Sequence, residues 1–211
     1  MVDAVSGPIT LGALDLAALL CSRVCHDLIS PVGAIVNGLE VLDESKDEET
    51  KTFAFDLIKK SAGQASAKLQ FCRLAFGAAG SAGAQIDLSD AEKVTRGLLE
   101  DGKTAIVWNL PPQLAAKNRA KLLLNMLLVG AGAIPRGGTL TVEPAGNGFR
   151  VTAGGVNAKL PAASLELLNG KPSHPVDAHA IQPLFTAILA HDCGLSLAVN
   201  AEGDSVALTA Q

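Results

Sequence analysis

The first candidate for chemistry is His26, which lies two residues after Val24 and two before Leu28 in an apolar series. At about 100° per helical residue it points away from that series and faces solvent. Arg23, Ser22, Ser30, Gly33 and Asn37 share its face at steps of three and four, and Asp27 lies about 100° round the helix. Imidazoles ordinarily titrate near pH 6.5, so an exposed one is largely neutral at cytoplasmic pH and presents a nucleophilic nitrogen. The same helix carries two local penalties. Gly33 costs about 1 kcal/mol in a helix interior, and Pro31 removes a backbone hydrogen bond. Costs so close to a candidate reactive group point to a gain elsewhere, and the expectation is a bare, bent surface for a docking protein.

That face needs a helix to hold it. From about Asp15 to Asp43, Leu20, Val24, Leu28, Ile35, Leu39 and Leu42 mark a long amphipathic helix. After an acidic stretch, Asp43 to Glu49, a second helix is marked by Phe53, Leu57, Ala65, Leu69, Cys72 and Phe76. The short connection makes the two antiparallel, and a lone hairpin leaves half of each apolar stripe in water. The expected solution is a four-helix bundle formed by two hairpins in a homodimer.

A small-residue run, Gly77 to Gly83, reads as a linker, dividing the chain into a hairpin (residues 1–80) and a second domain (residues 84–211). In the second domain, Ser89-Asp-Ala-Glu92 has capping-box spacing and opens a helix to about Glu100. Thr104 to Asn109 reads as a strand, Leu114 to Ala133 as a longer helix, and Thr139 to Glu143 with Phe149 to Ala153 as a hairpin. Short helices over Pro161 to Asn169 and Ala178 to His191 precede strands Leu195 to Asn200 and Ser205 to Thr209. The fold class is α + α/β: a helical hairpin followed by a two-layer α/β sandwich.

Composition narrows the function. Of 211 residues, 48% are hydrophobic and 18% charged, which is enough for a real core and excludes a disordered chain. The net charge is −4 with no Lys/Arg cluster, so a nucleic-acid partner is not expected. Arg23, His26 and Asp27 interrupt the most apolar stretch and no basic signal peptide opens the chain, so neither a membrane span nor export is expected. Cys21, Cys25, Cys72 and Cys193 form no zinc-type pair and are expected to be reduced in a cytoplasmic protein.

The run His26-Asp-Leu-Ile-Ser-Pro-Val-Gly-Ala-Ile-Val-Asn-Gly-Leu-Glu40 resembles the phosphoacceptor box of sensor histidine kinases: His, an acidic residue, then Pro five positions on. More closely, it resembles the ChpT-type histidine phosphotransferases of alphaproteobacterial cell-cycle phosphorelays. The resemblance extends over the whole chain, with its specificity concentrated in residues 22–40. It implies a dimeric hairpin carrying the phosphohistidine, followed by a kinase-like ATP-binding domain that has lost ATP. In the corresponding kinase segment Asn125 fits the first Asn, while the second, which holds the magnesium of ATP, is Val129 here. Ala153 stands where the adenine-binding Asp would be, and residues 171–183 contain no recognisable glycine-rich lid.

The implied mechanism has His26 attacking an aspartyl phosphate in line through Nε2 and later passing the phosphoryl group to a second aspartate. Asp27 would accept from Nδ1–H and fix the tautomer. Arg23 would offer positive charge to the phosphoryl group and Ser30 a hydrogen bond. No cofactor is expected on this chain. Magnesium would arrive with the receiver domain of a response regulator, as donor or acceptor. An ATP-dependent histidine kinase, or a regulator phosphatase or adaptor, remains open as an alternative.

Blander readings apply elsewhere. Asn37 and Lys59 read as surface residues, and Cys21-Ser-Arg-Val-Cys-His26 has one residue too many for haem attachment. His174, His179, His191 and Cys193 match no zinc pattern, and Gly137-Gly138 reads as a turn.

Overall fold

The computed structural model describes residues 11–77, 85–170, 176–178 and 180–211. Helix α1 spans Ala13–Glu44 and α2 spans Glu48–Ala75. The second helix starts five residues before Phe53, where its apolar pattern begins, because Asp47 caps it. The Asp47 carboxylate accepts from the Thr50 amide at 2.8 Å and from the Thr50 hydroxyl at 2.7 Å. These bonds hold its carboxyl below the usual range, and Glu48 and Glu49 suit the positive helix start. Gly38 faces Ala54 and Ile58, while Asp27 meets Lys68, so the helices run antiparallel as expected. A β-carbon at Gly38 would stand 2.6 Å from Ile58 Cγ1, so only glycine permits that approach.

Beyond the hairpin come β1 (Gln85–Asp87), α3 (Leu88–Leu99), β2 (Thr104–Trp108), β3 (Leu114–Ala116) and α4 (Lys117–Ala133). They are followed by β4 (Gly138–Ala145), β5 (Gly148–Gly154), α5 (Ala162–Leu168), α6 (Ile181–Asp192), β6 (Leu197–Glu202) and β7 (Ser205–Ala210).

Two local expectations are corrected. The capping box does not form: Asp87 caps α3 by accepting from the Ser89 amide at 2.8 Å. Glu92 turns to Arg96 instead, at 2.9 Å. Leu114–Ala116, expected as the first turn of the long helix, is extended and pairs antiparallel with Gln85–Asp87. A pairing partner about 30 residues upstream leaves no mark in a local apolar period.

The five-stranded sheet has the order β2-β4-β5-β7-β6, with β2 and β4 parallel and the other pairs antiparallel. Leu140, Val142, Val151, Ala153, Val206 and Leu208 are buried on its inner face. The outer face presents Thr139, Thr141, Glu143, Arg150 and Thr152. Helix α4 covers the inner face most closely at Gly130, where an added β-carbon would lie 3.2 Å from Leu140 Cδ2 and 3.3 Å from Val151 Cγ1. One side covered by helices and one open to water makes the two-layer sandwich that the sequence predicts.

The hairpin is not a separate body. Phe71 and Ala75, near the end of α2, are buried in the same cluster as Leu122, Leu124, Met126 and Leu140. Leu16, Leu19 and Leu20 of α1 pack on Leu167, Ile181 and Leu184. The expected linker lies, apart from Gly77, outside the described residues.

Candidate functional site

Near its middle, α1 carries the groups singled out from sequence. The His26 side chain is 60% exposed, as its helical phase requires. Its Nδ1 lies 3.5 Å from Asp27 Oδ1, a long contact that a small rotation would tighten. The other carboxylate oxygen of Asp27 accepts from Arg23 Nε at 2.9 Å. Three of the four sequence candidates are thus linked in one chain, Arg23 to Asp27 to His26. Ser30 stands exposed one turn on. Asp27 thus lies between the guanidinium of Arg23 and the Nδ1 side of the imidazole. Arg23, expected to point at an incoming phosphoryl group, spends its Nε on Asp27 and keeps its terminal nitrogens for other partners.

Pro31 does not lie on the bare surface that the sequence predicts. It is buried, while Gly33 is half-buried and α1 continues as α-helix through both. The buried ring packs well, but it leaves the carbonyl of Asp27, four residues back, without its helical donor. Lys68 of α2 fills that gap: its Nζ donates to the Asp27 main-chain oxygen at 2.6 Å. Sequence reasoning missed Lys68. The available signal was the proline itself, since an orphaned carbonyl on a partly buried face calls for a donor from the neighbouring helix.

Cys72, one turn beyond Lys68, completes the cluster. Burial, and then the nearby Asp27 carboxylate, push its thiol up to about 11. Burial and then Asp192 also raise the Cys193 thiol. All four cysteines are free, Cys21 and Cys25 being exposed. Among the described residues no group of three or more His, Cys, Asp or Glu could hold a metal ion. His174 and His179 lie outside the described residues.

The hairpin carries a second apolar stripe. Ile29, Val32, Val36 and Leu39 recur at steps of three and four and are 70%, 47%, 48% and 49% exposed. On α2, Phe55 and Leu69 are likewise exposed, two heptads apart. The expected series through Leu20, Val24, Leu28, Ile35 and Leu42 is half-buried within the chain; only Leu39 belongs to the outer stripe. An 18-residue window of α1 reaches a mean hydropathy of 1.4, so by length and composition alone this helix could cross a bilayer.

The family model of the histidine phosphotransferase C-terminal domain matches residues 88–205. The protein phosphotransferase ChpT of Brucella abortus (strain 2308) is 49% identical over 209 residues, covering 97% of this chain and 99% of that protein. The chain belongs to the histidine phosphotransferases. A solved bacterial phosphotransferase, 47% identical, superposes with a TM-score of 0.88 over 98% of this chain and 100% of that one. The relation therefore covers the hairpin as well as the α/β part of this phosphotransferase.

The positions that the sequence sets against the kinase pattern are taken up by packing in this phosphotransferase. Val129 is 4% exposed and Ala153 is fully buried, 3.7 Å from where a β-carbon on Gly130 would lie. Asn125, which fits the kinase pattern, is also fully buried and serves structure. Its amide donates to the carbonyls of Ala75 at 3.1 Å and Lys121 at 2.7 Å, and its oxygen accepts from Gln182. It thereby ties the end of α2 to α4 and α6. Asn125→Leu should destabilise the protein by about 2 to 4 kcal/mol, since it leaves the Ala75 carbonyl and the Gln182 amide unpaired in the interior. Chemical denaturation followed by circular dichroism checks this value. A midpoint like the wild type's would remove Asn125 from that role.

Proposed function

We propose that this phosphorelay histidine phosphotransferase carries the phosphoryl group on His26, between aspartates of two receiver domains. The observation that supports this most is the chain Arg23–Asp27–His26, with an outward imidazole whose inner nitrogen lies beside a braced carboxylate.

In the forward step His26 Nε2 attacks the phosphorus of an aspartyl phosphate in line. The N–P bond forms as the P–O bond breaks, and the donor's carboxylate departs. Nδ1 keeps its proton, directed at Asp27. An aspartate of the second receiver then attacks phosphorus and regenerates neutral imidazole. The hard cation that this chemistry needs arrives with the receiver. This chain contributes position and, through Arg23 and Ser30, polar contacts to the transferring oxygens.

Two further readings belong to this proposal. The outer stripe of the hairpin is covered by a second copy, giving a homodimeric four-helix bundle. The bilayer is disfavoured because an ion pair and a lysine ammonium lie at the middle of α1, where hydrocarbon makes charge expensive. The protein then works in the cytoplasm, on residues 1–80 as the phosphotransfer hairpin and 84–211 as a kinase-like domain without ATP, serving cell-cycle signalling.

Incubation with a labelled, phosphorylated receiver domain tests the reading: label should move to this chain in acid-labile form and then to a second receiver. Loss of label to water alone would indicate a phosphatase, and binding without label an adaptor. Mg-ATP should show no saturable binding at millimolar concentration and should leave the chain unlabelled, because the space for its cation ligand and adenine acceptor is packed with Val129 and Ala153. Saturable binding with γ-phosphate transfer would restore the kinase reading.

A further inference from the structure

We infer that Lys68 is a positioning residue for phosphotransfer, which acts by replacing the helical hydrogen bond that Pro31 removes directly behind His26. This inference rests on the assignment of His26 as the phosphoacceptor.

In a regular α-helix the amide of residue 31 would donate to the carbonyl of residue 27. Pro31 has no amide hydrogen, and its ring crowds that carbonyl outward. The carbonyl belongs to Asp27, whose carboxylate joins Arg23 and His26. An unpaired oxygen there would draw water into the turn and loosen the residue that sets the imidazole. Lys68 Nζ, coming across the hairpin from α2, lies 2.6 Å from this oxygen, a charge-assisted bond. Lys68 is itself only half-exposed, and Pro31 is buried beside the hairpin seam.

Asp27 is thus held at three atoms: the main-chain oxygen by Lys68, Oδ2 by Arg23, and Oδ1 against the imidazole. The proline gives the partner helix a handle on the phosphoacceptor turn, since a helix with an amide at residue 31 would satisfy that carbonyl by itself. A bare positive charge near the phosphoryl group would be a different role, because such a charge would act whether or not residue 31 has an amide.

That contrast supplies the test. In the full-length protein, Lys68→Met should slow single-turnover transfer from a phosphorylated receiver by about tenfold or more at saturating receiver, the scale of one charge-assisted hydrogen bond. The receiver concentration giving half-maximal rate should be unchanged. Lys68→Arg, which restores a cationic donor, should recover most of the rate. Pro31→Ala supplies the missing amide, so adding Lys68→Met to it should cost less than about threefold, a strong coupling between the two sites. Equal losses in both backgrounds, or no loss in either, would overturn the inference.

Amide hydrogen exchange gives a readout free of activity: Lys68→Met alone should speed exchange at residues 27–33, and unchanged protection there would also overturn it. A failure of the His26 assignment looks different, since label would then persist in a His26 variant while the exchange result stood.

Discussion

His26→Gln should accept no phosphoryl group from a phosphorylated receiver domain, while folding and assembling as the wild type does. The first half follows from chemistry, because a carboxamide offers no nucleophilic nitrogen that could carry a phosphoryl group. The second follows from burial: the side chain is 60% exposed, and surface substitutions of this kind change stability by about 0.5 kcal/mol or less. His191→Ala is the matched control, being an exposed histidine in the last turn of α6 and away from the hairpin's ion pair. It should label like the wild type. Mass spectrometry of the intact protein at neutral pH reads the added phosphate directly, before acid removes it. Undiminished phosphate on the His26 variant would sink the assignment and, with it, the relay chemistry built on it.

The legible parts of this chain are those written at short range. A helical period over some thirty residues gives α1, and the phase of His26 within it gives an exposed imidazole. The neighbours at steps of three and four put Arg23 and Ser30 on its face, whereas the pairing of Arg23 with Asp27 came from the structure. Strand alternation likewise gives β4 and β5 as a hairpin. Losses occurred wherever the deciding partner was distant in sequence. Leu114–Ala116 is a strand because Gln85–Asp87 lies beside it. Pro31, on a helix packed against α2, is buried, although from sequence it reads as a surface defect. Lys68 belongs to the site only because the antiparallel hairpin places it beside a carbonyl 41 residues upstream.

Asn125 shows a different limit. Its identity fits a nucleotide-binding pattern, yet its carboxamide is taken up by three internal hydrogen bonds that tie helices together. Residue type at one position could not separate these roles, whereas the exposure of each neighbour could.

Val36→Glu should convert the proposed dimer into a monomer at micromolar concentration, with His26 still exposed. The reasoning begins from area left uncovered: Ile29, Val32, Val36 and Leu39 on α1, with Phe55 and Leu69 on α2, face outward along the hairpin. Isolated apolar residues on a surface are ordinary, but six aligned on two packed helices form a seam. Steps of three and four along α1, and a spacing of two heptads along α2, are those of helices packed lengthwise on other helices. The proposed dimer would close this seam with a second hairpin, the two related by a two-fold axis. Val36 is 48% exposed in the lone hairpin, so covering the rest is worth about 0.7 to 1.5 kcal/mol per copy, and symmetry counts it twice. Losing both copies therefore weakens association by about 1.5 to 3 kcal/mol, roughly ten- to a hundredfold in Kd, before the cost of two buried carboxylates is added. His26 lies about 60° round the helix from Ile29, at the edge of the seam, so an imidazole can stay open to a receiver while the stripe is covered. Analytical ultracentrifugation across a concentration series reads both proteins. Wild-type protein sedimenting as a monomer at tens of micromolar would contradict the dimer, and an undisturbed dimer in Val36→Glu would move the interface off this stripe.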